Sequence, residues 1–262
     1  MHGLRRGALA ALVAAATITG VATAQGDDAF SVTLTPNVAD KGTVVDVEVD
    51  GAKLGAAGNG PAPTGARLVA QKGFRFDPEA VAETCTDDTA CPAGSRVGSG
   101  TANATVTFLG ASRPVVADIT AFRGTPVKSG DLAGIVVDVN VPGYGQRFTA
   151  KGRALQSAEG LELRFDDIAG AGQVPAGVSF RLDKLSLNVG AHRTVTVTRT
   201  KTRKVKTRSG KTVRRKVKVR VKVRRDLLKT PRSCDRTWTA RGVITFADGL
   251  ARTEPFSIPC RT

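Results

Sequence analysis

Four cysteines, Cys85, Cys91, Cys234 and Cys260, are the residues of this 262-residue chain whose chemistry is most readily named. In an exported chain an even set of four is most simply two disulfides, and three pairings are open. Sequence order favours Cys85 with Cys91, stapling a small loop, and Cys234 with Cys260, tying the last segments together. A zinc site is the rival reading, but CxxC spacing and neighbouring histidines are lacking. Asp87 and Asp88, inside the small cysteine loop, read as a solvated turn rather than a calcium site, because no repeated carboxylate spacing accompanies them. Of the two histidines, His2 lies in the leader and His192 at the foot of a basic stretch. A general base needs a nucleophile and an orienting partner, so His192 reads as a surface-loop residue. Glu159 with Glu162 and Asp166 with Asp167 are the carboxylates from which sugar hydrolysis would be built. A single Tyr and a single Trp make a poor sugar platform, and a carbohydrate-active enzyme is the lowest-ranked alternative. There is no Gly-x-Ser-x-Gly elbow, P-loop or His-Glu-x-x-His pattern. The expectation is no catalytic residue, no metal ligand and no cofactor.

The dominant chemistry is cationic. Residues 193–225 hold sixteen Lys or Arg and no acid, within a chain of 39 basic and 23 acidic residues. Without this stretch 23 basic residues stand against 23 acidic ones, so the net +16 sits in one element. A row of Lys and Arg binds polyanions by counterion release. The anion-binding candidates are Arg199, Lys201, Arg203, Arg214, Lys216, Lys218, Arg220 and Lys222. The stretch has no Phe, Tyr or Trp, which argues against base stacking on a single strand, and it matches no sequence-reading nucleic-acid motif. The expected partner is an anionic polymer (cell-wall polymer, acidic polysaccharide or nucleic acid) or an anionic surface such as lipid or cell envelope. Two other roles fit the same residues. One is a solubilising ribbon whose charges keep its edges from pairing with other chains. The other is a structural or assembly protein that self-associates through the hairpin edges.

The stretch must be a β-hairpin. Val195, Val197, Val205, Val213, Val217, Val219, Val221 and Val223 all fall at odd numbers, the period of a strand. Ser209-Gly210 interrupts the pattern, and a two-residue turn there predicts Arg208 facing Lys211, Thr202 facing Val217 and Thr196 facing Val223. One face would then be Thr opposite Val. The other would set Arg199, Lys201 and Arg203 against Arg220, Lys218 and Lys216, like charges that repel. About fifteen residues per arm span roughly 50 Å, so the tip is expected to project from the domain.

Residues 1–24 read as a secretory signal peptide. Arg5 and Arg6 open it, a small apolar run follows, and Ala22-Thr23-Ala24 is the small-x-small cleavage pattern. No later segment reads as a transmembrane helix, so the mature form, of charge 37 minus 23 or +14, is expected to be secreted, extracellular or at the cell envelope. Residues 25–262 then form one domain, with 193–225 as an inserted hairpin. Strands are predicted over Phe30–Leu34, Thr43–Val49, Ala66–Gln71, Asn103–Phe108, Val115–Phe122, Ile135–Val141, Gln146–Ala150, Leu161–Phe165, Val178–Val189, Thr237–Phe246 and Thr253–Ile258. The Gly-rich run Gly51–Gly65 reads as a loop. Asp77-Pro78-Glu79 is a helix start, with the helix running to near Cys85. The predicted fold is all-β: an antiparallel β-sandwich with one short helix and a long projecting basic β-hairpin.

Gly73-Phe-Arg-Phe-Asp77, the first cysteine and Cys91-Pro-Ala-Gly-Ser-Arg-Val-Gly-Ser-Gly-Thr-Ala102 together resemble a group of secreted proteins from high-GC actinobacteria. Leu187-Asn-Val-Gly-Ala191, Thr230-Pro-Arg-Ser-Cys234, Trp238, Phe246-Ala-Asp-Gly249 and Ser257-Ile-Pro-Cys260 agree with the same group. The resemblance implies secretion and a β-rich domain; it carries no activity and no functional residue. Its motifs lie on either side of the basic stretch. Trp238 is expected to anchor the core beside the Cys234 bridge.

Overall fold

The computed structural model describes residues 22–25, 29–54, 63–168, 178–206, 208, 210–246 and 249–262. The signal-peptide reading falls on residues 1–24, of which 1–21 lie outside the described residues, as does most of the glycine-rich loop. The strands are β1 (Ala22–Gln25), β2 (Phe30–Thr35), β3 (Gly42–Asp50), β4 (Pro63–Gln71), β5 (Arg75–Phe76), β6 (Arg96–Phe108), β7 (Ala111–Gly124) and β8 (Asp131–Val141). They continue with β9 (Gln146–Gln156), β10 (Gly160–Asp167), β11 (Val178–Val189), β12 (His192–Lys206), β13 (Thr212–Asp226), β14 (Leu228–Lys229), β15 (Thr237–Phe246) and β16 (Ala251–Pro259).

The fold is all-β. One large antiparallel sheet runs in the order β1-β2-β3-β11-β6-β7-β8-β9-β10-β4-β15-β16, with β14 and β5 added beside β3, and β12-β13 form a separate two-stranded sheet. Strands β6 to β10 are a plain meander. Chain order breaks where β11 inserts between β3 and β6, and where β4 inserts between β10 and β15. The end strands of the path, β1 and β16, lie against each other, so the sheet wraps around. The expected cleavage point after Ala24 falls within β1, whose Ala24 and Gln25 pair with Val32 and Ser31 of β2.

Strand periodicity builds the core. On β7, Val115, Ala117, Ile119 and Ala121 are buried in alternation. Val32 and Leu34 from β2, Ile135 from β8, Ala154 from β9, Leu161 from β10, and Phe256 and Ile258 from β16 meet in one cluster around Trp238. Each of the Val, Leu, Ile and Phe side chains contributes about 1.5–3 kcal/mol by leaving water. Strands from both ends and from the middle of the path thus share one interior.

The predicted helix is corrected. Asp77 does cap it, its carboxylate accepting from the Glu79 amide at 3.0 Å, but the element is a single 3-10 turn, Pro78–Ala80. Val81 is already extended, with φ −109° and ψ 152°. Burial of Ala80 and Val81 in the core cluster, and donation by the Ala82 and Glu83 amides to the Gly94 carbonyl, hold the following residues out of helical geometry. Strand β6 begins earlier than predicted, at Arg96, through the Gly98-Ser-Gly100 tract. There β11 crosses so closely that a Cβ on Gly100 would lie 1.9 Å from the Ser186 carbonyl oxygen.

Cys85 is bonded to Cys91 and Cys234 to Cys260, with Cα separations of 4.7 and 5.8 Å. The first closes a six-residue separation. Inside that loop the Thr89 hydroxyl and amide donate to Asp87 and hold its carboxyl below the usual range, while Asp88 pairs with Lys151. Chain entropy assigns so short a loop about 2 kcal/mol. The double variant Cys85→Ser, Cys91→Ser should lose about that much in urea unfolding; an unchanged midpoint would show that the loop is ordered without its bridge.

Candidate functional site

The basic ribbon is rooted beside β3. Strand β11 ends at Val189, and Gly190 and Ala191 lead into β12. The Gly190 amide donates to the Val97 carbonyl and the Leu227 amide to the Ala191 carbonyl. Leu227 and Thr230 are fully buried, and the Thr230 hydroxyl donates to the Val38 carbonyl at 2.6 Å. Arg225 pairs with Asp77 and Glu79, and Arg224 with Asp226 at 2.6 Å. The capped turn at Asp77 therefore serves as the acidic footing of the ribbon. Nothing in sequence spacing pointed to that contact, because 148 residues separate its partners.

Beyond the root, β12 and β13 pair only with each other. Their register corrects the predicted one. Lys206 pairs with Thr212, residues 207–211 make the connection, and Gly210 takes the left-handed conformation at φ +77°. An odd-length connection pairs odd residues with odd. Val195 faces Val223, Val197 faces Val221 and Val205 faces Val213, so all eight valines share one face. The even face sets Thr196 against Lys222, Thr198 against Arg220, Thr200 against Lys218 and Thr202 against Lys216.

Electrostatics explains why this register wins. The predicted alignment set Arg199, Lys201 and Arg203 directly against Arg220, Lys218 and Lys216, and like charges so opposed destabilise a strand pair. The observed one places a threonine across from Lys216, Lys218, Arg220 and Lys222, and among the paired residues like charges oppose only at Arg193/Arg225, Arg203/Arg215 and Lys204/Arg214. Valine pairs gain cross-strand packing at the same time.

The eight anion-binding candidates are consequently divided. Arg214, Lys216, Lys218, Arg220 and Lys222 line the even face in one row, with side chains about 7 Å apart along the strand. Arg199, Lys201 and Arg203 lie on the valine face. All eight are exposed. None forms an ion pair with a carboxylate among the described residues. The neighbouring threonine hydroxyls add donors to the cationic row, so this face can ligate oxyanions along its length.

The other chemistry-bearing residues are occupied structurally. Glu162 is 2% exposed and accepts two bonds from Arg67, at 2.6 and 2.9 Å. That bidentate bond raises the guanidinium pKa above its usual value. Glu159 pairs with Arg241 and lies 3.7 Å from Arg67. Asp166 accepts from Arg164 at 2.5 Å. His192 is exposed at the ribbon root opposite Asp226. A concavity lined by Thr64, Arg67, Arg164, Phe165, Asp166 and Thr245 measures about 250 Å³, below the roughly 300–1,000 Å³ of small-molecule sites. Among the described residues no group of His, Cys, Asp and Glu is gathered as for a metal ion, and no helix is long and apolar enough to cross a membrane.

Compared with known proteins, the chain matches no family model, no curated protein and no solved structure.

Proposed function

We propose that this protein is an exported, non-enzymatic module whose β12–β13 ribbon binds anionic polymers or the cell-envelope surface electrostatically. The observation that carries the reading is the cationic row, without an ion pair to a carboxylate among the described residues, on a ribbon that forms its own two-stranded sheet. Asp77 and Glu79 pair with Arg225, and Asp226 with Arg224, at the ribbon root. Two disulfides support an oxidising, extracellular setting. A rival reading takes the ribbon as an assembly element, since a two-stranded sheet leaves both outer edges open to another chain.

The test compares the mature protein with a version in which residues 194–225 are replaced by a short turn. Both are titrated with inorganic polyphosphate, duplex DNA and purified anionic cell-wall polymer. Removing the ribbon should weaken polyanion binding at low salt by about a hundredfold or more, because it takes most of the charge that displaces counterions. Equal binding by the two versions would place the contact on the main sheet and end the reading. Association that persists at high salt and needs the ribbon would favour assembly, because salt screens charge and spares apolar pairing.

A further inference from the structure

The two faces of the ribbon require different surroundings. The odd face carries eight valines, six of them in the direct pairs Val195/Val223, Val197/Val221 and Val205/Val213, with Val217 and Val219 opposite Lys201 and Arg199. Among the described residues, no apolar cluster of the body packs on this face, and seven of its valines are half-buried within the ribbon itself. The eighth, Val205, is 37% exposed. An isolated ribbon with one apolar face is marginal in water on its own, so a partner for that face would stabilise it.

Three occupants can be weighed by charge and polarity. A soluble polyanion satisfies the cations and leaves the valines in water. A second copy would cover the valines, but Arg199, Lys201, Arg203 and Arg215 share that face, and closing two such faces brings eight like charges together without an acid. An anionic lipid surface meets both demands, because its acyl boundary receives apolar side chains while phosphates of the headgroup layer surround the cations.

We propose that the ribbon docks on anionic lipid bilayers with its valine face toward the acyl boundary. This rests on the anion-binding reading above and names the surface it serves. Val195, Val197, Val217, Val219, Val221 and Val223 form the apolar footprint on the half of the ribbon nearer the root. Arg199 and Lys201 stand within it, across from Val219 and Val217, and the pair Arg203/Arg215 follows it; their long stems lie along the surface while the charged ends reach phosphate. These four also set the orientation. Charges in mid-face are strongly disfavoured at the bilayer centre, so the ribbon lies in the headgroup plane and does not span. The Thr/Lys/Arg face then sits at headgroup level, as the basic face of an interfacial amphipathic helix does.

The experiment uses the full mature protein and two variants. In the first, Val217→Thr, Val219→Thr, Val221→Thr and Val223→Thr are combined; β-branching and charge are kept and the apolar footprint is lost. The second is Val221→Trp, whose indole reports its own surroundings because the native Trp238 is fully buried. The probes are phosphatidylcholine vesicles with and without phosphatidylglycerol, and inorganic polyphosphate. The four-valine variant should bind phosphatidylglycerol vesicles about tenfold or more weakly than the parent, with polyphosphate affinity unchanged. Val221→Trp emission should shift to the blue with those vesicles and stay in place with polyphosphate. If the four-valine variant binds vesicles like the parent while both bind polyphosphate, the charge reading stands and lipid docking is overturned. If the parent binds neither probe, the charge reading itself falls and docking falls with it. A lipid-free dimer that the four threonines abolish would make a second copy the occupant and would likewise overturn it.

Discussion

Raising salt from about 50 to 200 mM should weaken duplex DNA binding by roughly a thousandfold, because each phosphate neutralised contributes about −0.9 to the slope of log affinity against log salt. The geometry sets how many phosphates that is. A rigid duplex lies against one face at a time, and the even face offers Arg214, Lys216, Lys218, Arg220 and Lys222 without competing carboxylates. Five to seven contacts, counting Lys204 and Lys206 on the same face, give a slope of about −5 to −6. Changing those five residues to Gln should flatten the slope by about 4. Changing Arg199, Lys201 and Arg203 should flatten it by less than about 1, since a duplex on the even face does not reach them. A flexible polyphosphate, able to wrap both faces, should respond to both sets. The measurement is affinity by fluorescence anisotropy across a salt series. Equal responses to the two sets with duplex DNA would show that the faces are not separated in solution. A slope shallower than about −2 would remove the electrostatic basis of binding altogether.

The ribbon also shows where sequence reasoning succeeds and where it stops. That residues 193–225 form two strands was legible, because eight valines at odd positions leave no helical face. The register was misread from the turn. Ser209-Gly210 looks like a two-residue connection, yet an even-length turn would separate the valines of the two arms onto opposite faces. Parity carries the information: when both arms place their valines at odd numbers, only an odd connection gathers them. Local turn chemistry at Gly210 is compatible with either length, so global pairing decides. The helix from Asp77 failed for a similar reason. The cap and proline are real signals, but Ala80 and Val81 are claimed by the core. Strand β6 was predicted only from Asn103, whereas it begins at Arg96 and Gly98 and Gly100 admit the close approach of β11. The two disulfides were legible from order alone. The pairing of Arg225 with Asp77 and Glu79 was not, since contacts over such separations follow from topology.

Truncating Trp238 should cost the fold about 3–5 kcal/mol, in the range for deleting a fully buried large aromatic. Trp238 is 0% exposed, its indole N–H donates to the Ser233 carbonyl at 3.0 Å, and its ring meets Phe74 edge-on with centroids 5.6 Å apart. It packs in the cluster that also holds Phe256, Ile258 and the Cys234–Cys260 bridge. Ala at this position leaves a cavity and an unpaired carbonyl together. Trp238→Phe should cost less, because much of the volume stays and the main loss is one hydrogen bond of about 1–2 kcal/mol. For a domain of this size the Ala variant should melt about 6–20 °C lower, at about 2–4 °C per kcal/mol. Circular dichroism is the appropriate probe, since the variant has no tryptophan left. A loss under about 1 kcal/mol would mean that the interior re-forms around the gap and that Trp238 does not anchor it. The same variant separates stability from function. The ribbon pairs only with itself beyond its root, so energies at the two places should add. Below its lowered melting point, Trp238→Ala should bind polyphosphate with the parent's affinity and salt slope, and a changed slope would show that the core dictates the geometry of the cationic row.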